Sequence, residues 1–116
     1  MPTFESSGAK IHYIDEGAGP PILLVHGFAS NIEGNWRATG IIAALTGAGR
    51  RVIALDCRGH GESDKPHDPK AYGVNVMAND AIALLDHLGI TKTDLMGYSM
   101  GGYIATSLLL EHPERF

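Results

Sequence analysis

Two short apolar runs stand out along the chain, Pro20-Pro21-Ile22-Leu23-Leu24-Val25 and Arg51-Val52-Ile53-Ala54-Leu55, and Thr93-Asp94-Leu95-Met96 is a third apolar strand candidate. Each is too short for a stable helix and reads as a strand buried on both faces. Upstream of them, Thr3 to Ser6 and Lys10 to Asp15 read as two strands turning at Ser7-Gly8. Ile11 and Tyr13 alternate with His12 and Ile14, the period-2 pattern of a strand near a sheet edge. Between Val74 and Leu88 the period changes. Val74, Met77, Ala78, Ala81, Ile82, Leu85 and Leu88 follow helical spacing, and Gly89 stops the run. Asn35 is placed to cap a helix from Trp36 to about Thr46, closed by Gly47. A third helix covers Gly102 to Leu110, with Pro113 beyond it, and Asp64 to Pro69 is a loop by composition. Strand and helix alternate, which predicts right-handed crossovers. The fold class is therefore α/β, a predominantly parallel sheet with flanking helices.

Composition narrows the function classes. One domain at most fits in 116 residues, and 44% hydrophobic content suffices for a core. A formal charge of −4 gives no basic surface for nucleic acid. The N-terminus has neither the basic nor the apolar region of a signal peptide, and no apolar run approaches a membrane span, so no membrane association is expected. The single Cys57 fits a reducing, cytoplasmic setting. The histidines are scattered and no cysteine pair accompanies them, so no metal site and no cofactor are expected. Gly17-Ala18-Gly19 is followed by two prolines, which cannot open a nucleotide-binding helix, and no Walker lysine is present.

The candidate chemistry lies where the runs end. The first leads into His26-Gly27-Phe28-Ala29-Ser30 and the second into Asp56-Cys57-Arg58-Gly59-His60-Gly61-Glu62-Ser63. The third leads into Gly97-Tyr98-Ser99-Met100-Gly101, a G-x-S-x-G at a strand-to-helix junction. Such a junction holds one hydroxyl above the sheet on a strained turn, and a side chain two residues before or after it would crowd the turn. These three motifs in this order resemble the α/β-hydrolase family, specifically its serine esterase and lipase-like branch. The resemblance covers the family's N-terminal half, so residues 1–116 read as the N-terminal part of a single α/β-hydrolase domain. In the family the Thr93–Met96 strand is central. An open edge here predicts a larger folding unit, the remainder being the same gene product, a cleaved piece or a second chain.

The resemblance implies roles residue by residue. Ser99 is the nucleophile for a small-molecule acyl substrate, and the backbone N–H groups of Phe28 and Met100 form the oxyanion hole. Phe28, Tyr98 and Trp36 suggest an apolar substrate-binding rim. Trp36 and the methionines Met77, Met96 and Met100 fit core or pocket wall. The family's acid and histidine follow the serine, but after Ser99 come only Glu111, His112, Glu114 and Arg115, at the far end of the helix. His112 is then roughly 20 Å away, so the triad is incomplete within these residues. His26 and His60 lie on the catalytic rim and read as structural, His26 fixing the oxyanion loop through its ring. His12, His67, His87 and His112 read as surface residues. Asp56 reads as a loop organiser paired with the backbone or with Arg58, Cys57 as a small buried hydrophobe, and Ser63 as bonded within its turn.

Two further readings fit the same residues. One is a cofactor-free perhydrolase or haloperoxidase-like enzyme, and the other a non-catalytic binding protein or inactive fragment of the fold. The epoxide hydrolase and haloalkane dehalogenase branches, which use aspartate at the elbow, are disfavoured because position 99 is serine.

Overall fold

A computed structural model describes residues 2–116. Two N-terminal strands, β1 (Thr3–Ser6) and β2 (Ala9–Glu16), form a hairpin through Ser7 and Gly8, both at positive φ. That geometry matches the twist of the strands it joins. β3 (Pro21–Val25), β4 (Arg51–Leu55) and β5 (Asp94–Gly97) complete a five-stranded sheet in the order β1-β2-β4-β3-β5. β4 pairs antiparallel with β2 and parallel with β3, and β3 pairs parallel with β5. The sheet is mixed, parallel at the strands that carry the motifs.

Both faces are covered, which accounts for the unbroken apolar runs. Leu23, Val25, Ile53 and Leu55 point to one face, under α2 (Val74–His87) and α3 (Met100–Glu111). Ile22, Leu24, Val52 and Ala54 point to the other, under α1 (Ile41–Gly47) and the segment before it. Among the described residues β5 pairs on one side only, and Asp94, Met96 and Gly97 on it are exposed. The expected open edge is present.

Four expectations need correction. No continuous helix runs from Trp36 to Thr46. A wide π-helical turn spans Glu33–Arg37, Gly40 at φ +82° breaks the path, and α1 begins at Ile41. Gly47 lies inside α1, and Gly49 at φ +83° follows it. Asn35 caps nothing; its side chain accepts from the Gly27 N–H instead. His12 is buried rather than on the surface, because β2 is flanked by both β1 and β4. Its ring Nδ1 lies 3.0 Å from the Pro2 carbonyl.

Candidate active site

β3 ends in a loop fixed from several sides. His26 is fully buried, and its Nε2 accepts from the Cys57 N–H at 2.9 Å. The N–H can only donate, so the ring proton sits on Nδ1 and is donated to the Gly27 carbonyl at 2.7 Å. Burial lowers the His26 pKa and keeps the ring neutral. Gly27 N–H donates to Asn35 Oδ1 at 2.7 Å, and Ser30 N–H to the Gly27 carbonyl at 3.2 Å. Ala29 sits at φ +60°, a left-handed conformation that alanine rarely adopts. The next residue back, Phe28, is 76% exposed, and its N–H has no partner among the described residues.

The second motif meets this loop directly. β5 continues through Tyr98, whose N–H donates to the Val25 carbonyl at 3.1 Å. Ser99 then turns the chain at φ +55°, ψ −115°, and α3 begins at Met100. The glycines are dictated by backbone contact. A Cβ at Gly97 would lie 2.2 Å from the Gly101 carbonyl oxygen, and one at Gly101 would lie 1.9 Å from that of Val25. A Cβ on Gly27 would lie 3.4 Å from that of Ser99, so the two motifs are neighbours. The Ser99 hydroxyl is exposed and without a hydrogen-bond partner among the described residues. As the first residue of α3, Met100 leaves its N–H free at the positive end of the helix dipole.

The third motif closes around Asp56, whose carboxylate accepts from the Ile32 N–H at 2.8 Å and the Glu62 N–H at 2.9 Å. Asp56 therefore organises its loops through the backbone, and the Arg58 alternative does not hold. Arg58 is buried against Asp80 of α2 in a two-pronged ion pair of 2.7 and 2.8 Å. It also donates to the Ser6 and Ala71 carbonyls, each at 3.0 Å. The sequence reading missed Asp80. Its signal was there, an acid four residues before Leu84 on the buried face of an amphipathic helix. Ser63 bonds the Asp56 carbonyl within its turn and also accepts from the His12 N–H at 2.8 Å. Cys57 is buried and its thiol is pushed up to about 12, chiefly by burial.

The predicted rim divides around the elbow. Phe28, Met100 and Met77 line a cleft of about 580 Å³ together with Ala29, His60 and Tyr72. Tyr98, 60% exposed, lines not that cleft but a separate hollow of about 300 Å³ that it shares with Trp36. Trp36 itself is 3% exposed and packs in the core beneath α1. Met96 is exposed on β5. No histidine among the described residues bonds Ser99, and His112 lies past the opposite end of α3. Among the described residues no group of His, Cys, Asp or Glu could hold a metal ion, and no helix is long and apolar enough to cross a membrane.

Comparison with known proteins agrees with this fold. Bifunctional epoxide hydrolase 2 of Sus scrofa is 35% identical over 93% of this chain and 19% of its own length. The 2-hydroxymuconate semialdehyde hydrolase of Pseudomonas sp. (strain CF600) is 38% identical, covering 95% of this chain and 38% of that protein. The crystal structure of an epoxide hydrolase from Vigna radiata superposes with a TM-score of 0.91 at 33% identity. That match covers 99% of this chain and 35% of the other. The chain thus spans well under half the length of each of these relatives. A model for the alpha/beta hydrolase fold matches residues 20–116, which take in the Gly27 loop, the Asp56 loop and the Ser99 elbow, and the chain accordingly belongs to that family.

Proposed function

We propose that this chain is the N-terminal part of a serine hydrolase domain acting on ester-type or related acyl bonds of small molecules. The observation that carries the reading is Ser99 itself, exposed at φ +55° between a parallel strand and a helix N-terminus. A strained residue at such a junction is retained where it holds a reacting atom in place. Attack of Ser99 Oγ on an acyl carbon gives a tetrahedral intermediate, then an acyl-enzyme with loss of the alcohol. The free N–H groups of Phe28 and Met100 are the donors for the developing oxyanion, each worth about 10²–10³ in rate. Helix α3 adds its dipole in the same direction.

A general base and its orienting acid are needed to take the Ser99 proton. In this reading they come from the remainder of the domain, which also covers the open edge of β5. The apolar cleft beside Phe28 supports an organic substrate. A cytoplasmic setting suits a chain whose only cysteine is buried and unpaired.

Epoxide hydrolases are prominent among the relatives, and the resemblance gives that branch an aspartate at the elbow. Serine at position 99 supports acyl transfer instead. A fluorophosphonate probe and parallel ester and epoxide assays on the intact protein test this. Expected are stoichiometric labelling of Ser99 and ester turnover that Ser99→Ala abolishes while the fold is kept. Absence of labelling, or epoxide turnover that survives Ser99→Ala, refutes the assignment.

A further inference from the structure

His60 has no part in the chemistry above, yet its ring lies in the wall of the cleft next to Phe28 and Met100. Its Nδ1 is 3.0 Å from the Arg58 carbonyl. A carbonyl only accepts, so Nδ1 carries a proton, and in the neutral ring Nε2 is the acceptor. Nε2 has no hydrogen-bond partner among the described residues. Nor is it sealed away, for the only enclosed, unpartnered polar side-chain atom among the described residues is Trp36 Nε1.

The ring is held firmly. Its centroid lies 5.1 Å from that of His26 and 5.7 Å from that of Phe28, the latter edge-on at 79°. The carbonyl that fixes its tautomer belongs to Arg58, whose side chain is clamped by Asp80, Ser6 and Ala71. The other polar side chain of the cleft is Tyr72, whose hydroxyl donates to the Pro66 carbonyl at 2.6 Å. Its remaining capacity is also as an acceptor. Phe28, Val74, Met77 and Met100 supply only apolar surface. The side chains of the cleft therefore offer acceptors and no donor.

We propose that this cleft binds the apolar part of the substrate and that His60 Nε2 accepts a hydrogen bond from a donor on it, a hydroxyl or an amide N–H. The inference rests on the reading of Ser99 as the reacting centre beside the cleft. Discrimination follows from the chemistry of the wall. A substrate with an ether or carbonyl at that point sets acceptor against acceptor and leaves both desolvated, whereas a hydroxyl satisfies the ring. His60 is thus a specificity-determining residue, and Arg58 with Asp80 positions it.

The test uses two isomers, n-hexanol and methyl pentyl ether, which share a formula and differ in having a donor. Each is titrated into the intact, ¹⁵N-labelled protein while the imidazole nitrogens of His60 are followed by long-range ¹H–¹⁵N correlation. Hexanol is expected to bind about fivefold or more tightly than the ether, the scale of one neutral hydrogen bond. It should also move the Nε2 resonance upfield, which the ether should not. In His60→Phe, which keeps an aromatic ring in the stack, the preference should vanish. Equal affinities, binding of neither isomer, an unmoved Nε2 resonance, or a preference retained in His60→Phe each overturn the proposal. If that variant does not fold, the titration of the unsubstituted protein still decides. Fluorophosphonate labelling of Ser99 is independent of both ligands. Labelling without a His60 response sinks this inference alone, and a His60 response without labelling sinks the nucleophile.

Discussion

Replacing Gly101 by alanine adds one methyl group to the first turn of α3. Its Cβ would lie 1.9 Å from the Val25 carbonyl oxygen, 2.6 Å from the Val25 carbonyl carbon and 2.8 Å from the His26 carbonyl oxygen. Ordinary contact begins near 3.4 Å, so helix and strand must part by about 1.5 Å. The obstacles are backbone atoms of a strand buried on both faces, and no rotamer change relieves them. Overpacking of a core costs about 1–3 kcal/mol, and a backbone obstacle belongs at the upper end, about 3 kcal/mol. The same movement draws Ser99 away from the Gly27 loop, and a misplacement of about 1 Å costs on the order of 10² in rate. Gly102 is the internal control. A Cβ there meets nothing closer than the Gly97 carbonyl oxygen at 4.0 Å, and the residue lies within α3. Gly102→Ala should therefore stabilise by about 0.5–1 kcal/mol through helix propensity. Urea melts and calorimetry on the intact protein and both variants, with ester turnover alongside, read the difference. Equal effects of the two substitutions, or an unchanged melting temperature in Gly101→Ala, would refute the steric account of the elbow.

Asp80→Ala should cost about 3–5 kcal/mol, because it strands the buried Arg58 guanidinium, while the double replacement Arg58→Met with Asp80→Leu should cost less than that single change. Denaturant titrations check this; a larger loss in the double variant contradicts it. Native Cys57 should resist thiol reagents at neutral pH and react on unfolding, given burial and a thiol pushed up to about 12; rapid native labelling would count against it. Because His26 is held neutral by burial below its ordinary value of 6.5, the unfolded chain takes up its proton first as pH falls. The His26 contribution to stability is then present above about pH 6.5 and lost on acidification, and melts across that range in wild type and His26→Phe should converge at acid pH.

Much of the fold could be read from local pattern because the features are local. The two-sided strands announce themselves as unbroken apolar runs, and α2 as a helical stripe ended by Gly89. The Ser99 turn is encoded by two glycines whose hydrogens are the only substituents that fit. What went unread depends on contacts and turns that the pattern of apolar positions does not show. His12 looks like the outward residue of an edge strand until β4 is placed beside β2. Asn35 looks like a helix cap until the Gly27 N–H arrives to claim its oxygen. The pairing of Arg58 with Asp80 joins residues that no spacing rule connects. The helix expected from Trp36 fails at Gly40, where a left-handed residue breaks the path before α1 can start.

The order of elements, the α/β class and the junctions that carry chemistry are legible residue by residue, since each rests on periodicity or on glycine sterics within a few positions. Which groups meet there is a matter of the folded chain: the Gly27 loop against Ser99, Asp56 on the backbone, Asp80 on Arg58, and a fixed His60 ring in the cleft wall. Those pairings are set by packing and by the cost of leaving buried polar groups unpaired, which belong to the whole chain at once and to no segment of it.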